Sequence, residues 1–171
     1  MNKDEAYKLM DCLGRLTHDP VAWVYFAFDW DSDPELKGQK PQKWQLEQLE
    51  RIAKGLETPD NIIRQAVSSG HGCGKSTLVS WLILWAISTH PDTRGVVTAN
   101  TEAQLRTKTW AELAKWHRKF IGKELFTYTA TAIFSIEAEH ERTWRIDAIP
   151  WSVTNTEAFA GLHNQGRRIL I

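Results

Sequence analysis

Apolar positions recur at helical spacing through most of the first 120 residues and then change to alternation, and this switch of period divides the chain. Residues 4–16 have helical spacing. Asp19 and Pro20 then supply an N-cap followed by proline at the first helical position, which predicts a second short helix through Trp30. Residues 29–40 have loop composition. Pro41 restarts helical order, with Trp44, Leu46, Leu49, Ile52 and Leu56 on one face and Glu47, Glu50, Arg51 and Lys54 left for water, ending at Gly55 or shortly after. Residues 62–67 read as a short buried strand, and residues 77–89 are apolar enough for a core helix that stops before Pro91. Residues 95–100 predict a second buried strand flowing into a long helix from Thr101 to about Phe120. Beyond Gly122, residues 131–137 and 143–149 alternate and predict two strands, a hairpin or two neighbours, joined by the charged tip 138–142. Residues 155–160 predict a short helical turn, and residues 167–171 an apolar strand. A buried strand seldom finishes a domain with nothing after it, so the pattern predicts a fragment of something larger.

Between the strand at 62–67 and the helix at 77–89 lies Ser69-Gly70-His71-Gly72-Cys73-Gly74-Lys75-Ser76, followed by Thr77. A triphosphate cradle needs several backbone N–H groups pointing inward, hence residues free of Cβ clashes, and then a helix whose positive end faces the anion. Gly70, Gly72 and Gly74 supply the freedom, and Ser76 opens the helix. The pattern G-x-x-x-x-G-K-[ST] asks for glycine where this chain has Ser69, so the match is one residue short. Strand, glycine loop and helix nevertheless follow in the required order; the alternative is a Gly-rich turn with a chance Lys-Ser. In the phosphate-binding reading Lys75 reaches the β- and γ-phosphate oxygens and Ser76 offers its hydroxyl to Mg²⁺.

Composition narrows the picture without deciding it. At 171 residues the chain is long enough for one domain with a core, or for part of a larger one. Acidic and basic residues balance at 21 each, so any nucleic-acid contact must be local or shared with other subunits. The two cysteines, Cys12 and Cys73, are far apart, and one sits in the loop; reduced thiols in a cytosolic compartment fit better than a disulfide framework. Cys73 itself reads as a small loop residue. Of the nine tryptophans, Trp81 and Trp85 form an i, i+4 pair expected in the core rather than as base-stacking platforms. The polar start of the chain carries no signal-peptide pattern, and the longest apolar stretch, residues 82–87, is far short of the ~20 a membrane span needs. The expectation is a soluble, intracellular protein without repeats or a long linker.

Four stretches together resemble the large, motor subunit of tailed-phage terminases. The loop from Ser69 to Thr77 looks like that family's deviant Walker A, in which the first glycine is often replaced. Trp44-Gln45 resembles the adenine-recognising Q motif. Residues 97–104 are similar to the strand-to-helix segment after Walker A, and Phe159 to His163 with Arg168 to Ile171 resemble the approach to Walker B. The resemblance covers residues 41–171. It implies a three-layer α/β P-loop NTPase, a mostly parallel sheet flanked by helices, as a partial ATPase domain at 41–171 behind a helical segment at 1–40. It also implies ATP and Mg²⁺ as cofactors and hydrolysis that drives DNA into a procapsid. Double-stranded DNA, the small terminase subunit, the portal and a homo-oligomeric ring are the implied partners, in the cytoplasm of a bacterial host. In the family the last strand is followed by Asp-Glu, holding Mg²⁺ and activating water; Ile171 precedes both, as it does the coupling motif and the nuclease domain. The 171-residue chain alone is therefore expected to bind ATP better than it turns it over. His71 stands where some relatives carry Arg or Lys against the γ-phosphate, and neutral His is the weaker partner near pH 7.

The remaining candidates divide between function and ordinary structure. Gln45 can set both ends of its amide on the adenine N6/N7 edge, favouring ATP over GTP, or be a polar residue on a helix surface; a guanine-reading Asn-Lys-x-Asp stretch is absent. Thr98 and Asn100 end the second strand where open α/β sheets place ligands, while Asn100 or Thr101 also suits a helix cap. Arg106, Lys108, Lys115, Arg118 and Lys119 form either a DNA-facing side or, preferably, a solvated face. Glu137, Glu139, His140 and Glu141 match no metal motif and suit a charged hairpin tip. Two competing functions stay open: a helicase-like P-loop ATPase acting on nucleic acid, and a truncated prophage remnant that is a catalytically silent nucleotide-binding module. A small-molecule kinase lacks a nameable phosphate-acceptor site.

Overall fold

A computed structural model describes residues 1–58, 62–68, 70 and 72–151. Helices come first, each started by the capping chemistry of its sequence. Helix α1 (Lys3–Gly14) opens with a capping box: Asn2 Oδ1 accepts from the Glu5 N–H at 2.9 Å, and Glu5 Oε2 accepts from the Asn2 N–H at 2.9 Å. Helix α2 (Pro20–Ala27) starts at Asp19, whose Oδ1 accepts from the Ala22 N–H at 2.8 Å, with Pro20 at the first helical position. It stops at Ala27, short of the predicted Trp30, because the chain turns and the Trp30 indole folds back to donate to the Val24 carbonyl at 3.0 Å.

Helix α3 (Lys43–Leu56) keeps the predicted faces: Leu49 is buried, Trp44, Leu46, Ile52 and Leu56 are half-buried, and Glu47, Glu50, Arg51 and Lys54 are exposed. Gln45 and Gln48 share the buried side, which apolar spacing did not reveal. Helix α4 (Lys75–Thr89) is apolar on all sides and central, packed by α1, α2 and α6. Trp81 and Trp85 are each 2 % exposed, as their core assignment required. Trp23, Phe28, Trp30, Trp81, Trp116 and Phe120 form a ring-on-ring cluster beside α4, with Trp81 meeting Trp116 edge-on at 5.1 Å. A fully buried aromatic contributes hydrophobic area together with about 0.5–1.5 kcal/mol per well-oriented ring pair.

Strand β1 (Arg94–Val97) leads into one helical run made of α5 (Glu102–Gln104), a π-helical stretch (Leu105–Trp110) and α6 (Ala111–Lys119). The predicted helix from Thr101 to Phe120 is thus present with a local change of winding. A 3₁₀ turn (Lys123–Leu125) passes into β2 (Phe126–Tyr128), which the alternation did not announce because three residues are too few to show a period. Strands β3 (Ala132–Ser135) and β4 (Arg145–Ala148) lie within the two predicted alternating runs and pair antiparallel, with Ile133 opposite Ile146. The sheet order is β1-β4-β3-β2, with β1 parallel to β4 and the other two pairs antiparallel.

The architecture is therefore α/β, with two corrections. Among the described residues the sheet is mixed rather than mostly parallel. Short connections at 129–131 and 136–144 force antiparallel neighbours, and only the helical crossover after β1 is long enough for a parallel return. The predicted strand at 62–67 pairs with no strand among the described residues: Ile62 is 72 % exposed, and Gln65 Nε2 donates to the Gln48 carbonyl at 2.9 Å, tying the segment to α3 instead. Arg64 and Gln65 interrupt its apolar run, leaving too little apolar surface to hold a central strand position. Among the described residues no helix is long and apolar enough to cross a membrane. The turn predicted at 155–160 and the strand at 167–171 lie outside the described residues.

Candidate functional site

The glycine loop ends where the buried α4 begins. Gly72 and Gly74 have φ of 76° and 85°, the left-handed conformation that a Cβ disfavours, and Gly74 is the N-cap of α4. The first N–H groups of any helix lack intrahelical partners, and α4 carries no acidic residue in its first turn to absorb their positive field. This is the local chemistry of an anion site at a helix N-terminus.

Lys75, the first residue of α4, folds its ammonium back across the loop: Nζ donates to the Gly70 carbonyl at 2.7 Å and lies 3.8 Å from Cys73 Sγ. The Cys73 thiol donates to the same carbonyl at 3.1 Å. The Ser76 hydroxyl makes no hydrogen bond among the described residues, while its carbonyl accepts from Ser80 Oγ at 2.8 Å. Thr77 points elsewhere, its Oγ1 donating to Glu112 Oε1 on α6 at 2.8 Å. Ser69 and His71, both expected to face phosphate, lie outside the described residues, as do Phe159 to His163 and Arg168 to Ile171.

Gln45 reaches the loop directly. Its Nε2 donates to the Gly74 carbonyl at 3.0 Å, its Oε1 accepts from the Gln42 N–H at 2.8 Å, and it is 3 % exposed. Both ends of the amide are engaged by the protein, so reading an adenine edge requires exchanging one of these bonds. Trp44 lies beside it, its indole donating to Gln42 Oε1 at 2.7 Å. The structure thus brings Gln45, Gly70, Gly72, Cys73, Gly74, Lys75, Ser76 and Thr77 to one end of α4, and it adds Gln42 and Glu112. Glu112 follows Thr77 by 35 residues, a separation that carries no sequence signal.

The other candidates fall away from this cluster or into structural roles. Thr98 and Asn100 are exposed beyond β1, and the cap belongs to Thr101, whose Oγ1 accepts from the Gln104 N–H at 3.1 Å. On the long helical run Arg106 pairs with Glu102 at 2.8 Å, and Lys119 bridges to Asp33 at 2.8 Å and Glu35 at 3.2 Å. Lys108 and Arg118 are exposed and Lys115 is half-buried. At the acidic tip His140 Nδ1 lies 2.9 Å from Asp92 Oδ1, which also accepts from Thr143 Oγ1 at 2.9 Å. The hydrogen bond to Asp92 holds the His140 imidazolium above its ordinary pKa. Among the described residues no group of three or more His, Cys, Asp or Glu side chains is placed to hold a metal. No family model, curated protein or solved structure matches the chain.

Proposed function

We propose that this chain is the ATP-binding portion of a terminase large subunit, a P-loop hydrolase that in its complete form couples ATP hydrolysis to translocation of double-stranded DNA into a procapsid. The observation that carries the reading is the end of α4: two left-handed glycines lead directly into a buried helix whose first residue is Lys75, with its ammonium drawn over the loop. A phosphate group fits these residues. It accepts from the first N–H groups of α4 and exchanges with the Gly70 carbonyl for the Lys75 ammonium, trading a neutral acceptor for a charged one. The Ser76 hydroxyl is available as an Mg²⁺ ligand. When bound, that ion would supply positive charge to offset the phosphate charge in transfer to water.

Within this reading each residue has a defined task. Lys75 supplies a point charge to the β- and γ-oxygens; Gly72 and Gly74 let the backbone approach them; Gln45 braces the loop exit and, on exchanging one bond, faces the base. The small terminase subunit, the portal and a ring of like subunits in a bacterial cytoplasm follow as partners of the complete protein.

The test is titration of the purified chain with a fluorescent ATP analogue and Mg²⁺, beside Lys75→Ala. The wild type is expected to bind and the variant to lose binding by about a hundredfold or more, the scale of a lost charge-assisted contact. Equal titration curves would remove the loop from the argument. GTP competing as well as ATP would remove Gln45 as a base reader.

A further inference from the structure

Thr77 is the third residue of α4, in the turn whose N–H groups face the loop, and its hydroxyl carries a single proton. In this structure that proton is given to Glu112 Oε1 at 2.8 Å, and the same oxygen accepts from Trp116 Nε1 at 2.8 Å. Trp116 is 5 % exposed, and its ring meets Trp81 at 5.1 Å and Phe28 at 4.8 Å. Among the described residues Glu112 forms no ion pair; its partners are a neutral hydroxyl and an indole. A carboxylate is therefore held beside the positive end of a buried helix, on the side of the first turn that adjoins α6.

Two consequences follow from elementary chemistry. A negative charge so close to a phosphate site opposes the arrival of an anion. A hydroxyl that donates to Glu112 cannot donate the same proton to phosphate, and threonine in a helix has two accessible χ1 rotamers, so its proton can change partners without moving the backbone. We propose that Glu112 is a positioning residue for the nucleotide site: it accepts the Thr77 hydroxyl's hydrogen bond until a phosphate oxygen accepts that bond instead, and α6 registers the exchange through Trp116. This rests on the nucleotide-binding reading above. It gives the loop a mechanical link to the helical run that bears Arg106, Lys108, Lys115 and Arg118. The two states are the two partners of one proton, which is the bistable element such coupling needs.

The experiment is calorimetric titration of the full chain with Mg²⁺ and a non-hydrolysable ATP analogue, using Glu112→Gln, Thr77→Val, the double variant, Thr77→Ser and Lys75→Ala. Glutamine keeps an oxygen that accepts from both Thr77 and Trp116, so the fold is retained while the charge is removed. Glu112→Gln is expected to tighten binding about three- to tenfold, and Thr77→Val to reduce that gain to less than about twofold. Thr77→Ser, which keeps the hydroxyl, should respond to Glu112→Gln as the wild type does. Indole emission should change on addition of the analogue and lose that change in Trp116→Phe. An unchanged affinity in Glu112→Gln, or an equal gain with and without the Thr77 hydroxyl, overturns the role of Glu112 alone, provided Lys75→Ala still abolishes binding. If wild type and Lys75→Ala both fail to bind, the nucleotide reading falls, and this inference with it.

Discussion

Replacing Gly74 by alanine tests the brace between α3 and the loop. Two costs arise at once. At φ of 85° a Cβ-bearing residue pays about 1–2 kcal/mol for left-handed backbone. The added Cβ also falls 2.8 Å from Gln45 Nε2, a contact real side chains do not make, so the amide must withdraw. Gln45 is 3 % exposed, and withdrawal breaks its part-buried bond to the Gly74 carbonyl, a loss of about 1–3 kcal/mol where the buried amide is left without a partner. The sum, about 2–5 kcal/mol, is large beside the stability of a small domain. Gly72→Ala provides the reference: at φ of 76° it carries the backbone cost, but among the described residues nothing lies within 4 Å of its added Cβ. Urea unfolding of wild type, Gly72→Ala, Gly74→Ala, Gln45→Ala and Gln45→Ala/Gly74→Ala should give Gly74→Ala the greater loss of the two glycine variants. In the Gln45→Ala background its cost should shrink to that of Gly72→Ala, a coupling of about 1–3 kcal/mol. Equal losses at the two glycines, or additive losses at Gln45 and Gly74, would refute the brace.

Three further outcomes follow from the same structure. Burial, with the His18 charge second, lowers the His90 pKa from 6.5 to about 4, so the unfolded chain takes up the proton first and stability falls as pH drops from about 6.5 towards 4; His90→Gln should flatten that acid limb of the urea midpoint. His140 works in the opposite direction. Its pKa is raised chiefly by the hydrogen bond to Asp92, so its contribution is complete below 6.5 and lost as pH climbs through the raised value, and Asp92→Asn should erase this alkaline loss. Among the described residues Trp81 Nε1 is buried without a hydrogen-bond partner, whereas Trp23 Nε1 donates to Ser88 Oγ at 3.1 Å; in thermal or urea unfolding Trp81→Phe should cost about 1–2 kcal/mol less than Trp23→Phe, and equal costs would count against the difference in pairing.

Local signals were legible wherever a side chain acts on its own backbone or a run is long enough to show its period. The cap at Asp19, the glycine freedom at Gly72 and Gly74, the all-apolar α4 and the alternation around β3 and β4 are of this kind. What escaped depends on groups distant in sequence. Gln45 reads as a polar residue on a helix surface until the Gly74 carbonyl accepts from its amide, and Gln48 until Gln65 donates to its main-chain carbonyl. The run at 62–67 has strand-like residues, yet whether it pairs is decided by neighbours that local sequence does not specify. Thr77 was legible as the residue that follows the glycine loop, but its partner Glu112 comes from α6 through tertiary packing. The π-helical stretch, in which Leu105 and Trp110 are both buried, is likewise something periodicity at 3.6 residues cannot register.

Helix α4 has no exposed residue and is buried throughout from Ile83 to Thr89, and its far end is fastened as well: Trp144 donates its indole proton to the Ile87 carbonyl at 2.7 Å, and the Trp85 indole reaches the Leu16 carbonyl at 3.2 Å. Such a segment exchanges its amide protons only when neighbouring elements separate, so α4 belongs to the last cooperative unit to open. Amide exchange through residues 78–88 as slow as global unfolding allows would place α4 in that unit.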